Sequence, residues 1–129
     1  MLHPVLLAAA AVAALAITAG VLGGRALANG PPESLRRAAE GGDIESRLAL
    51  GLQLMMHGTT ADDRREGFTH LVDAALQGSP EAQASLGAAY LSGRGTLPDL
   101  GLAFMWLGRA AAQGQGEAAK ILNLLDSVV

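Results

Sequence analysis

Two hydrophobic patterns follow one another along this chain, and they differ in kind. From Val5 to Gly24 the residues are apolar without a charge in between, VLLAAAAVAALAITAGVLGG. Beyond Pro31-Pro32 the apolar positions are interleaved with polar ones at the three- and four-residue spacing of amphipathic helices. A helix rises about 1.5 Å per residue, so the first stretch is long enough to cross a hydrocarbon core of roughly 30 Å once. It therefore predicts a single transmembrane helix within residues 1–30, and Asn29-Gly30-Pro31-Pro32 breaks it. A cleaved signal peptide ending at Ala26-Leu27-Ala28 is the competing reading. The segment before the run, Met1-Leu2-His3-Pro4, lacks the lysine or arginine such a signal carries. On one side of the run Ala16, Gly20 and Gly24 lie at i, i+4 and i+8, with Ala9 and Ala13 nearby. Small residues at this spacing let a second helix approach closely in lipid, although an alanine-rich run produces such matches by chance as well.

The second pattern repeats. Ala38-Ala39 with Gly42 recurs as Ala74-Ala75 with Gly78 and again as Ala110-Ala111 with Gly114, at an offset of 36 residues. The same offset relates Glu45, Glu81 and Glu117; Leu50, Leu86 and Leu122; Gly51 and Gly87; Asp63 and Asp99; Phe68 and Phe104. A period in the mid-thirties is that of a two-helix solenoid unit. Units over 38–73 and 74–109 and a partial third over 110–129 form a repeat domain at 31–129. In the middle unit Ser79 is placed to cap a helix that opens with Pro80 and Glu81. Ser92 to Pro98 makes the turn, Asp99 caps the second helix, and Gly114 sits where a helix ends on a left-handed residue. The repeated glutamates read as first-turn acids before they read as catalytic groups.

The run Ala82, Leu86-Gly87, Tyr90, Gly93-x-Gly95, Asp99, Ala103, Trp106, Ala110-Ala111, Gly114 and Ala118 resembles the Sel-one-like repeat, a relative of the tetratricopeptide repeat. The likeness is dense over 74–118. In the preceding unit Leu54 stands for the tyrosine, His70 for the tryptophan and His57-Gly58-Thr59-Thr60 for the glycine turn. The resemblance implies a short α-solenoid of about two helix-turn-helix repeats and a closing helix, so with the apolar run the expected fold class is all-α, a transmembrane helix followed by that solenoid. It implies a scaffold or adaptor that holds proteins together.

Composition narrows the chemistry. Half the residues are hydrophobic but only one Trp, one Tyr and two Phe are aromatic, which suits closely packed helices and not a β-sandwich. The absence of cysteine removes disulfides and thiolate metal sites. A formal net charge of −3 without a basic stripe argues against nucleic acid. His3, His57 and His70 lie in separate settings without metal-ligand spacing. Gly93-Arg94-Gly95 lacks the lysine and hydroxyl residue of a phosphate loop. No enzyme, cofactor, metal or small-molecule substrate is expected.

A surface is the better candidate. Ile44, Leu48, Leu52 and Met55 form one apolar stripe on the first repeat helix, and Leu50 and Leu54 point elsewhere, so this helix is apolar nearly all round. Ala84, Ala88 and Leu91 continue the stripe in the next unit. Either these residues grip an apolar segment of a partner, or they pack against residues 33–41 and the neighbouring repeat. With little more than two units, the array has open ends that a larger complex would cover. The combined expectation is an accessory or assembly subunit of an integral membrane protein complex, touching the lipid bilayer and single-pass in a bacterial inner membrane. Arg25, Arg36 and Arg37 after the span place the repeat domain on the cytoplasmic side. The alternative is an exported periplasmic regulator.

Overall fold

The computed structural model describes residues 30–128, all of whose regular structure is helical. Six helices follow in order: α1 Glu33–Glu40, α2 Ile44–His57, α3 Ala61–Leu76, α4 Pro80–Ser92, α5 Leu100–Ala112 and α6 Gly116–Val128. Helices α2 and α3 form one hairpin, α4 and α5 a second, α3 leans on α4, and α6 closes the far end against α5. α1 packs on α2 at the near end.

One part of the expected fold class is corrected. No helix among the described residues is long and apolar enough to cross a membrane, so the fold described is an all-α repeat array without a transmembrane helix. The longest helix, α3, carries Asp62, Asp63, Arg64, Arg65 and Glu66 in its first two turns and buries only a narrow face of Gly67, Leu71, Ala74 and Ala75. A helix so charged belongs at a protein–water boundary. The stretch Val5–Gly24, its small-residue face of Ala9, Ala13, Ala16, Gly20 and Gly24, and the alternative cleavage at Ala28 lie outside the described residues.

The 36-residue period has a local physical cause. At the end of α1 the N–H of Gly42 donates to Ala39 O at 3.1 Å and that of Asp43 to Ala38 O at 3.2 Å. At the end of α3 Gly78 donates to Ala75 O at 3.0 Å and Ser79 to Ala74 O at 3.1 Å. At the end of α5 Gly114 donates to Ala111 O at 2.9 Å and Gln115 to Ala110 O at 3.0 Å. Each is the paired C-terminal closure that needs a residue at positive φ, supplied by Gly42 (98°), Gly78 (99°) and Gly114 (88°). The residue after each glycine then caps the next helix. The Asp43 carboxylate accepts from the Ser46 N–H at 3.0 Å, the Ser79 hydroxyl from Ala82 N–H at 3.2 Å, and Gln115 Oε1 from Ala118 N–H at 2.7 Å. Stop and start are thus adjacent residues, and the repeated alanine pair and glycine are the stop.

Within each hairpin a glycine sets the crossing. A Cβ on Gly51 would stand 3.0 Å from Gly67 O, and one on Gly67 would stand 2.8 Å from both Gly51 O and the Met55 nitrogen. In the second hairpin a Cβ on Gly87 would stand 2.6 Å from Leu107 Cγ. Three apolar clusters result. The largest joins both hairpins through Leu48, Leu52, Met55, Leu71, Leu86 and Trp106. A second holds α4, α5 and α6 together through Ala84, Leu107, Ile121 and Leu125. The smallest seats α1 on α2 through Leu35, Ala39, Leu50 and Leu54.

Candidate partner-binding groove

The starts of α2 and α4 lie side by side, because both follow the same kind of junction, and between them runs an open groove of about 830 Å³. Its apolar wall is Leu35 from α1 with Ile44, Leu48 and Ala49 from α2, and Pro80 from α4. Its polar rim is Asp43, Glu45 and Ser46 on one side and Gln77, Ser79 and Glu81 on the other. The Ser46 hydroxyl and backbone N–H both donate to the Asp43 carboxylate, and these bonds, the hydroxyl's first, hold Asp43 below the ordinary carboxylate range. Across the groove Ser79 Oγ lies 3.5 Å from Glu81 Oε2.

Farther along the same helices, outside the lining of the groove, are two polar side chains that lack partners. Gln53 lies one turn beyond Ala49 and Ser85 one turn beyond Glu81, and residues four apart share a helix face. Both are nearly inaccessible, at 4% and 5% exposure, yet among the described residues Gln53 Oε1 and Ser85 Oγ have no hydrogen-bond partner. A buried acceptor left without a donor costs about 1–3 kcal/mol.

The seven residues of the apolar stripe do not share one surface. Ile44, half-buried, and Leu48 line the groove. Leu48 also reaches inward, where Leu52 and Met55 are buried against Leu71, Leu86, Ala89 and Trp106. Ala84 is fully buried among Leu107, Ala110 and Ile121, and Leu91 packs on that same cluster. Ala88 is buried at 4% exposure. The physical reason is the stacking itself: helix α2 is wedged between α1, α3 and the second hairpin, so its apolar stripe is covered by the next unit. Sequence reasoning missed Leu35 and Ala49.

The other polar residues serve the frame. Arg47 Nε donates to Ala39 O at 3.0 Å, and Gln83 Nε2, one repeat later, to Ala75 O at 3.1 Å. Each satisfies a carbonyl at the end of the preceding helix. Arg94, in the loop of the second hairpin, donates from Nε to Met55 O at 2.7 Å at the end of α2. Gly95 beside it has φ +76°, and a Cβ there would stand 2.7 Å from Arg64 O. The glycine turn is therefore an inter-repeat clasp. His70 Nε2 stands 3.9 Å from the Glu66 carboxylate, which also pairs with Arg36 at 2.9 Å, while His57 is exposed. Among the described residues no three His, Asp or Glu side chains converge as metal ligands.

Comparison with known proteins agrees with this geometry over the second hairpin. Residues 80–115 match the family model of the Sel1 repeat, from the first residue of α4 through the junction after α5. No curated protein and no solved structure matches the chain. The match supports a Sel1-repeat reading, and with it the class of protein–protein interaction modules. The first hairpin, whose α2 supplies more of the lining than any other helix, lies outside the matched residues.

Proposed function

We propose that this protein is a non-catalytic adaptor, an accessory subunit of a larger protein complex, which holds a partner segment in the groove between the starts of α2 and α4. The observation that carries the reading is the groove itself: apolar wall and polar rim, on helices whose other faces are engaged in the frame. The Sel1-repeat match supports the class. The exposed apolar residues of α6, Leu124 and Val128 at 41% and 44%, support a further contact with a partner.

The test is co-purification of the tagged full chain from its native host, compared with Ile44→Ser. Ile44 lines the groove and is only half-buried, so the variant keeps its fold, checked by circular dichroism. A partner retained by the native chain and lost from Ile44→Ser is the expected result. Equal retention by both would remove the groove from the binding site.

A further inference from the structure

We infer that the groove takes a cationic segment, an apolar stretch of a partner protein bearing lysine or arginine; this rests on the proposed function and specifies its partner. Donors and acceptors in the groove do not balance. The lining holds three carboxylates, Asp43, Glu45 and Glu81, and no basic residue. Among the described residues none of the three pairs with a cation, and the nearby cations are engaged elsewhere. Arg47 is bound to Ala39 O and Asp73, Arg36 to Glu66, and Arg37 to Glu33.

Most side-chain donors of the groove are occupied, the Gln77 amide excepted. The Ser46 hydroxyl donates to Asp43, the Ser79 hydroxyl faces Glu81, and the Gln83 amide next to the rim donates to Ala75 O. What remains is chiefly acceptors, the free lone pairs of the three carboxylates. A site rich in acceptors and poor in donors is complemented by N–H groups.

Magnitude decides the sign of the field. The starts of α2 and α4 each contribute about half a positive charge, which answers one of the three carboxylates and leaves about two net negative charges at the groove mouth. Apolar walls focus such a field instead of dispersing it. Ammonium and guanidinium groups carry donors without acceptors, so they meet both the charge and the hydrogen-bond deficit. The apolar wall of Leu35, Ile44 and Leu48 requires that the same segment present aliphatic side chains between its charges.

The test uses the full chain and three ten-residue peptides of alternating leucine with lysine, glutamine or glutamate, with affinity read by fluorescence anisotropy at low salt and at 0.5 M salt. The lysine peptide is expected to bind about tenfold tighter than the glutamine peptide, with the advantage shrinking at high salt as the screening length shortens. Glu45→Gln combined with Glu81→Gln is expected to abolish that advantage. Asp62→Asn combined with Asp126→Asn removes as much charge outside the groove and is expected to leave it within twofold. Equal binding of the lysine and glutamine peptides, both weakened by Ile44→Ser, overturns the cationic partner and leaves the groove standing. Equal losses in the two double variants also overturn it, because the attraction is then that of an acidic protein in general. Binding of none of the three peptides, by native chain or variants, overturns both the cationic partner and the groove.

Discussion

The two hairpins are the same device built to different tolerances. In the first, backbone crosses backbone, with Gly51 and Gly67 facing each other so closely that neither admits a methyl group. In the second, Gly87 is met by the Leu107 side chain and the partner position is Ala103. The first turns through Gly58–Thr60 into a capping box, where Thr60 and Asp63 bond each other's backbone. The second turns through the longer Gly93–Asp99, whose Arg94 and Gly95 reach back to the first. The second also carries Trp106 in the joint core, where the first carries His70 with a buried Nδ1 that has no partner among the described residues. The hairpin with the recognisable motif is thus the one that binds its neighbour, and the less regular one carries the groove.

Five substitutions, in three groups, test this comparison. Trp106→Ala empties the joint core and is expected to destabilise the chain by about 3–5 kcal/mol. His70→Ala at the equivalent position removes a poorly satisfied side chain and is expected to cost about 1 kcal/mol or less. Urea denaturation of the two variants checks the asymmetry; equal losses would mean that the units share one kind of core. Next in size are the crossing glycines. Gly67→Ala drives a methyl into backbone that cannot yield and is expected to cost about 2–3 kcal/mol, as overpacking does. Gly87→Ala meets a leucine side chain that can rotate, and the gain in helix propensity of about 1 kcal/mol offsets part of the strain, so its loss is expected to be under half as large. Thermal melting of both ranks them. Smallest is the clasp. Arg94→Ala leaves the Met55 carbonyl to water and is expected to cost about 1 kcal/mol. Hydrogen exchange then localises the loss: amides at the end of α2 should exchange faster while those of α5 are unchanged.

What was legible in the sequence was the local chemistry. The alanine pair, the glycine and the capping residue after it all act within a few positions, so their 36-residue recurrence is visible along the chain itself. Ser79 and Asp99 cap the helices they were expected to cap. What the sequence did not separate was which side of α2 stays open. Its two apolar stripes are equally hydrophobic, and only stacking reveals that Leu52 and Met55 face the second hairpin while Leu50 and Leu54 face α1. Apart from Ile44 and Leu48, the groove escaped for a related reason. It is walled by the beginnings of two helices 36 residues apart, and its residues read individually as caps and first-turn acids. Gln53 becomes conspicuous only when its neighbours are known to be buried.

The stop-and-start junctions have a consequence for how such a chain can change. Because Gly42, Gly78 and Gly114 are each followed at once by the cap of the next helix, no slack exists between consecutive units. One inserted residue there would turn everything downstream about a new axis, as a misfiled tooth throws a gear train out of phase. The turns inside the hairpins are set less rigidly: Gly58–Thr60 and Gly93–Asp99 differ in length, the longer one offset by shorter helices, while the junctions on either side keep step. Length can vary at the tips of the hairpins and is locked at their bases, so the array is free to acquire new edges without losing its pitch.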